Sequence, residues 1–438
     1  MPNFVLIGSG LAGGLLAAYL GRRGYDVDLY ERRADPREGN LVGGRSINLA
    51  LSTRGIHALE QLGIDDEVLK HAIPMRGRMI HDKSGDLHFS PYDRDPNKFI
   101  NSIGRAALNT TVIEAAQRYP NVRVHFNHRC TDVDLDEATA HLETGGSLVS
   151  ARADAVIGVD GAFSAVRQSM QKKLPEFEYD ESYLAHGYKE LTIPPAPDGS
   201  WQMEKEALHI WPRKSFMMIA LPNPDGSFTC TLFWEFQGPR SFKSTKTDEQ
   251  VCDFFREEFP DAVPLMPNLL DDFKNNPTGS LVTIRCAPWC YQDKVALVGD
   301  AAHAVVPFYG QGMNAAFEDC VVLDQCLAEF PQDRHRAFAE YFERRKENAD
   351  ALADLAVQNF IEMRDKTAAK TFRAKKKLDH LLEGLLPGIY FPLYTMVTFT
   401  RIPYAQAARR ARLQNGVVYT GLVVLAISIL ASITLFFR

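Results

Sequence analysis

VALVGDAAHAVVPFYGQGMNAAFED, running from Val295 to Asp319, decides how this chain is read. Val295, Leu297 and Val298 form a buried strand that breaks at Gly299 into Asp300. A loop with Pro307, Gly310 and Gly312 follows, and a helix opens near Met313. An acidic residue at a strand end can accept from a sugar or sugar-alcohol hydroxyl. Free N–H groups around Gly312, Met313 and Asn314 face an electron-rich ring or a phosphate. The stretch therefore suits a nucleotide cofactor, although by itself it is also ordinary α/β architecture.

A second motif stands at the start of the chain. Phe4-Val5-Leu6-Ile7 is an apolar run, followed by Gly8-Ser9-Gly10-Leu11-Ala12-Gly13 and a helix through Arg22. Tyr25–Tyr30 reads as the next strand, and Glu31 follows 18 positions after Gly13. This is the G-x-G-x-x-G fingerprint in its strand–turn–helix setting, with an acidic residue placed to bind a ribose. Gly8 permits the tight turn, Gly10 lets a pyrophosphate approach the backbone, and Gly13 lets helix and strand pack closely. A third segment, Asp154–Arg167, again ends a hydrophobic strand in Asp160-Gly161 and runs into a helix through Ala165.

These three motifs, in this order and spacing, resemble the aromatic-ring hydroxylases, single-component FAD monooxygenases with the p-hydroxybenzoate hydroxylase fold. Gly44–Ser52, Met75–His81 and Phe391–Phe399 are similar to the kynurenine-hydroxylating branch of that family, and the likeness runs from Phe4 to about Arg412. The resemblance implies FAD as cofactor, NADPH as a transient co-substrate, and O₂ and L-kynurenine as substrates, within tryptophan degradation. FAD contacts carry over to Gly8, Gly10, Leu11, Ala12, Gly13, Tyr30, Glu31, Arg32, Arg33, Arg45, Ala50, Arg105, Cys130, Asp160, Gly161, Ala165, Gly299, Asp300, Gly312, Met313 and Asn314. Substrate contacts carry over to Arg78, Tyr92, Asn359 and Tyr394, with the carboxylate assigned to Arg78 and Tyr92. The implied chemistry forms a hydroperoxide at flavin carbon 4a, sheltered by Pro307, Phe308, Tyr309 and Gly310; because the aniline nitrogen already donates electrons to the ring, no catalytic acid or base is assigned. Two departures from the family pattern stand out. Asp93–Gly104 is one residue longer before Arg105, and Tyr309 replaces a common phenylalanine.

The expected fold class is α/β: a Rossmann-like FAD-binding domain (1–50, 100–174 and 285–330) interleaved with an α+β substrate domain (51–99 and 175–284). Ala207–Trp211, Ser215–Leu221 and Phe228–Phe236 read as strands of that second domain. A helical region over 331–415 completes the substrate site. Within Met75–His81, Arg76 and Arg78 alternate with apolar neighbours, as on a strand facing a cavity. An Arg in such a place also fits a plain surface ion pair.

Gly416–Phe437 holds 22 residues without a charge, which as a helix would extend about 33 Å. Arg409, Arg410 and Arg412 precede it, so a transmembrane anchor with a cytoplasm-facing catalytic body is expected, membrane lipid being a partner. A net charge of −6 gives no case for nucleic acid. Seven cysteines without a C-x-x-C pair, and a strand beginning at Phe4 where a leader would lie, fit reduced thiols. His125 and His128 on one strand would point to opposite faces, which disfavours a shared metal. Only one complete dinucleotide fingerprint is present, so NADPH has no domain of its own. Three other readings stay open: a flavin hydroxylase for another aromatic acid, a geranylgeranyl-reductase-like flavoprotein, and a non-catalytic flavin-bound scaffold.

Overall fold

A computed structural model describes residues 2–38, 48–363, 382–383, 386 and 389–436; beyond residue 421 only the side chains of Ser428 and Ser432 are described. The three nucleotide-type motifs converge on one six-stranded sheet. Its strand order is Cys290–Tyr291, Val295–Leu297, Ala155–Gly158, Asn3–Ile7, Asp26–Tyr30 and Val122–His125. Apart from the hairpin at Cys290, neighbours are parallel, with Phe4 opposite Ala155 on one side and Val27 on the other. Parallel strands covered on both faces are apolar throughout, which is why Phe4–Ile7 and Ala155–Gly158 lack alternation. The helices Leu11–Arg22 and Arg105–Gln117 pack on this sheet, and Gly312–Glu329 packs against Leu11–Arg22.

A seven-stranded sheet stands beside it, in the order Thr278–Ala287, Glu178–Ile193, Phe228–Glu235, Phe216–Pro222, Ala207–Arg213, Gly77–His81 and Leu87–Pro91. It alternates side chains between two faces. Cys230, Leu232 and Trp234 pack against the helices Asp248–Glu258 and Leu269–Asn275, while Phe233 packs with Phe308 and Phe360. A small sheet of Asn48–Leu51, Ile100–Gly104 and Ala72–Met75 bridges the two. Leu51, Ala58, Leu59 and Val68 join the core of the six-stranded sheet, although the sequence groups them with the substrate part.

Two local expectations change. Met75 ends one strand and Gly77 begins another in a different sheet. Arg76, at the break, pairs with Glu206 and the Pro96 carbonyl instead of facing a cavity. The strand expected through His128 stops at His125, because Asn127 turns the chain at φ +59°. The two imidazole rings then lie 6.0 Å apart, and His125 bonds Asp28. Among the described residues no group of His, Cys, Asp and Glu could hold a metal. All seven cysteines are free.

The backbone of Gly416–Phe436 continues the helix Tyr404–Phe436. Among the described residues no helix is long and apolar enough to cross a membrane. Most side chains of the expected span lie outside the described residues.

At Gly13 the first helix lies so close to the first turn that a Cβ would sit 1.9 Å from the Gly8 carbonyl oxygen. Gly13→Ala must therefore push the first helix off its strand. The variant is expected to purify without flavin or fail to accumulate, read by absorbance at the flavin bands; normal flavin content contradicts this.

Candidate active site

One cavity of about 930 Å³ runs between the two large sheets, from Glu31 and Arg33 at one end to Arg78, Tyr92 and Tyr394 at the other. At its first end, Gly8 turns the chain at φ +103° and donates to the Tyr30 carbonyl at 2.7 Å. Gly10 caps the helix Leu11–Arg22 with no side chain and has open space in front of it. The N–H groups of that helix end therefore face the cavity, a fit for a pyrophosphate. Beyond them, Glu31 accepts from the Ser9 amide at 2.9 Å and from Arg33 Nε at 2.9 Å. Burial opposes its charge, but Arg33 and the Ser9 amide outweigh that and hold the carboxyl below its ordinary value.

The middle of the cavity carries two more carboxylates. Asp160 Oδ2 accepts from the Ala165 amide at 2.6 Å, while its Oδ1 is buried without a partner. Asp300 stands at the strand end with its side chain open to the cavity. An orphaned carboxylate oxygen, an uncapped helix end and an acidic strand end along one cleft fit FAD in extended form.

Most of the FAD contacts expected from sequence line this cleft: Gly8, Gly10, Leu11, Ala12, Tyr30, Glu31, Arg32, Arg33, Ala50, Arg105, Cys130, Asp160, Gly161, Ala165, Asp300, Gly312 and Met313. Gly13, Gly299 and Asn314 are not in the lining. Gly13 serves packing. Gly299 makes the strand-end turn at φ +64° and donates to Asp319 Oδ2 at 3.0 Å. Asn314 ties the flavin-side loop together, donating to Ala50 O at 2.8 Å and Gly310 O at 2.9 Å while accepting from Ser52 N at 2.9 Å. Arg45 lies outside the described residues.

At the far end, the Arg78 guanidinium lies 4.7 Å from the Tyr394 ring and 5.7 Å from the Tyr92 ring, and those rings stack at 5.5 Å. Arg78 Nε and Tyr92 Oη are buried and find no hydrogen-bond partner. Burial pushes the phenols of Tyr92 and Tyr309 well above 10, so both stay neutral. Leu208, Met217, Ile219, Leu221 and Phe233 wall the adjoining slot, with Pro307, Phe308, Tyr309 and Gly310 across from them. Asn359 does not line the cavity. Its amide donates to the Phe308 carbonyl at 2.7 Å and to Met363 Sδ at 3.3 Å, and it is Met363, one turn on, that reaches the cavity wall.

A buried polar network, not read from the sequence, holds the loop. Tyr404 Oη donates to Gln311 Oε1 at 3.1 Å, and Gln311 Nε2 donates to Ser52 Oγ at 3.1 Å. Arg54 bonds Glu318 at 2.6 Å, and its guanidinium sits 4.0 Å from the Tyr404 ring. Arg345 Nε donates to Asp319 Oδ1 at 2.6 Å, and His303 Nε2 meets Asp319 Oδ2 at 2.6 Å. Despite full burial, His303 and Arg345 hold the Asp319 carboxyl below its usual range. The sequence signal was an acidic pair, Glu318-Asp319, among the small and apolar residues of the helix Gly312–Glu329.

The comparisons agree with this geometry. A family model described as an FAD binding domain matches residues 3–356. The chain is 49% identical to kynurenine 3-monooxygenase of Myxococcus xanthus, covering 94% of this chain and 89% of that protein. It is 49% identical to the Dictyostelium discoideum protein of the same name (92% and 89% covered) and 45% identical to that of Anopheles gambiae (93% and 84%). Among solved structures, 2-methyl-3-hydroxypyridine-5-carboxylic acid oxygenase aligns with a TM-score of 0.68 at 22% identity, covering 90% of this chain and 95% of that one. The p-nitrophenol 4-monooxygenase of Pseudomonas putida DLL-E4 gives 0.68 at 20%, covering 88% and 95%. These likenesses define the fold of an FAD monooxygenase. The chain belongs to the kynurenine 3-monooxygenase family.

Two measurements probe the site's electrostatics. Arg345→Met leaves the carboxylates of Glu318 and Asp319 short of a buried partner, and is expected to cost about 3–5 kcal/mol in denaturant unfolding. A loss under about 1 kcal/mol contradicts the role given to this network. Burial also raises the Glu190 carboxyl from 4.5 to about 7, with Arg105 pulling the other way. A raised carboxyl favours the folded state in its protonated form. That contribution is complete below about pH 4.5 and is lost as pH rises through about 7. Glu190→Gln is therefore expected to melt above the wild type on the alkaline side of this window, the gap closing towards its acid end. A pH-independent gap contradicts the assignment.

Proposed function

We propose that this protein hydroxylates L-kynurenine to 3-hydroxykynurenine, consuming NADPH and O₂. The observation that carries the reading is the pair of buried, unpartnered polar atoms, Arg78 Nε and Tyr92 Oη, at the end of an apolar slot continuous with the FAD cleft. An amino-acid carboxylate satisfies both. A guanidinium can grip it bidentately, the Tyr92 hydroxyl adds a donor, and the Tyr394 ring covers the ion pair from one side. FAD, reduced by NADPH, supplies the activation of O₂ when bound.

The chain's own residues do the rest. Arg78 and Tyr92 fix one end of the substrate, so the aniline ring lies flat between Ile219, Leu221, Phe233 and the Pro307–Gly310 loop. The ring carbon beside the amino group is thereby presented to the cofactor, with water kept out by the apolar wall. The ring amine already donates electrons to that carbon, and the neighbouring phenols are neutral, so we assign no general base. Asn359 holds the loop through the Phe308 carbonyl. With no second dinucleotide fingerprint, NADPH visits and leaves.

The domain division and the membrane attachment belong to the same proposal. The segments 1–50, 100–174 and 285–330 bind FAD, 51–99 and 175–284 shape the substrate slot, with Leu51–Val68 packed into the FAD-binding core, and 331–415 closes it. Gly416–Phe437 anchors the protein in a lipid bilayer with the catalytic body on the cytoplasmic side. Support comes from the charge-free sequence and the arginines at 409, 410 and 412. Alkaline extraction of membranes tests this: the full chain stays with the lipid, and release into the supernatant contradicts an integral anchor.

NADPH oxidation by the FAD-loaded protein is expected to rise with L-kynurenine and to yield a product heavier by one oxygen. No stimulation overturns the substrate assignment. Arg78→Met removes a charge-assisted contact to the carboxylate and is expected to raise KM about 30-fold or more, on the order of 2 kcal/mol or above. An unchanged KM places the carboxylate elsewhere.

A further inference from the structure

Thr231 is a hydroxyl in an apolar wall. On its strand, Cys230, Leu232 and Trp234 turn into the helix-covered core, while Thr231 and Phe233 line the cavity. Its neighbours across the sheet are Ile219 on one side and Glu190 on the other, and Met217, Leu221 and Phe233 surround it along the slot. Thr231 is only 5% exposed, and its hydroxyl makes no hydrogen bond among the described residues. Valine would fill the same β-branched shape without presenting a hydroxyl to the cavity. Thr231 lines the ligand cavity, and a bound ligand would desolvate its hydroxyl unless it brought a partner for it.

We propose that Thr231 is a specificity-determining residue whose hydroxyl oxygen accepts a hydrogen bond from the ring amino group of the substrate. The inference rests on the reading of L-kynurenine as that substrate. Three strand steps separate the strand of Arg78 from that of Thr231, about 14 Å. An extended guanidinium, a carboxylate, a three-carbon chain and a ring fill that distance.

The chemistry supplies the direction. In an ortho-amino aryl ketone one N–H bonds internally to the ketone, leaving the second pointing towards the adjacent ring carbon, the one that is hydroxylated. An acceptor at that edge selects which side of the ring meets the flavin. It also draws the amine's N–H outward, which raises electron density at the reacting carbon. Arg78 reads the carboxylate at one end; Thr231 reads the amine at the other.

The test uses the FAD-loaded full-length protein and two ligands: L-kynurenine, and 2-amino-4-oxo-4-phenylbutanoate, which lacks only the ring amine. Binding is followed by perturbation of the flavin spectrum. The wild type is expected to bind L-kynurenine at least about fivefold more tightly than the analogue, the worth of one hydrogen bond. Thr231→Val is expected to weaken L-kynurenine about fivefold to tenfold and leave the analogue unchanged, while Thr231→Ser keeps most of the preference. The valine variant also releases a larger share of its NADPH turnover as hydrogen peroxide, which a purely structural role would not produce. Equal effects on both ligands, or no preference in the wild type, overturn the proposal. A wild type that binds neither ligand overturns the substrate reading itself, a result separable from a wild type that hydroxylates kynurenine without regard to Thr231.

Discussion

The buried carboxylate of Asp319 is the constraint on which the cavity depends. It takes the Gly299 amide, the His303 ring and the Arg345 guanidinium, and so joins a strand end, a short helix and two long helices at one point. Isolated, such a charge would be too costly to bury; surrounded by donors, it becomes a fixed reference. From that point the chain runs through Asp300 into the Pro307–Gly310 loop and back into the helix at Gly312. Both ends of the flavin-facing loop are thus set by one ion cluster, and Asn314, Gln311 and Asn359 fix what lies between.

The two sheets then divide the work by their own physics. The central stretches Phe4–Ile7 and Ala155–Gly158 of the parallel sheet are apolar on both faces, and at the carboxyl ends of its strands Gly10, Asp160 and Asp300 collect around an elongated cofactor. The seven-stranded sheet is two-faced. It gives one surface to helices and the other to the cavity, so a single alternation yields both a packed core and a flat slot for an aromatic ring. The small sheet of Asn48–Leu51, Ile100–Gly104 and Ala72–Met75 joins them, and Arg78 follows within a few residues.

The fold was legible where a motif needed particular residue types at fixed spacing. Gly8, Gly10, Gly13 and Glu31 define strand, turn and helix without help from distant contacts, and the strands around Ala207, Phe216 and Phe228 followed from apolar and β-branched runs. What escaped was set by tertiary contact. Arg76 and Arg78 share a pattern in sequence, yet only a change of sheet at residue 76 sends one outward to Glu206 and the other into the cavity. Asn359 is a polar residue on a helix whether it meets a ligand or the Phe308 carbonyl, and nothing local separates the two. The ladder from Tyr404 through Gln311 to Ser52 joins residues 93 and 259 positions apart, beyond any spacing rule.

The central claim is that one cavity brings reduced flavin, O₂ and the anchored aromatic amino acid together. The most direct measurement is turnover of L-kynurenine with NADPH under isotopically heavy O₂, with the product analysed by mass and position. One heavy oxygen atom is expected on the ring carbon beside the amino group. A product whose added oxygen comes from water, or NADPH consumption that ends only in hydrogen peroxide, would contradict the claim.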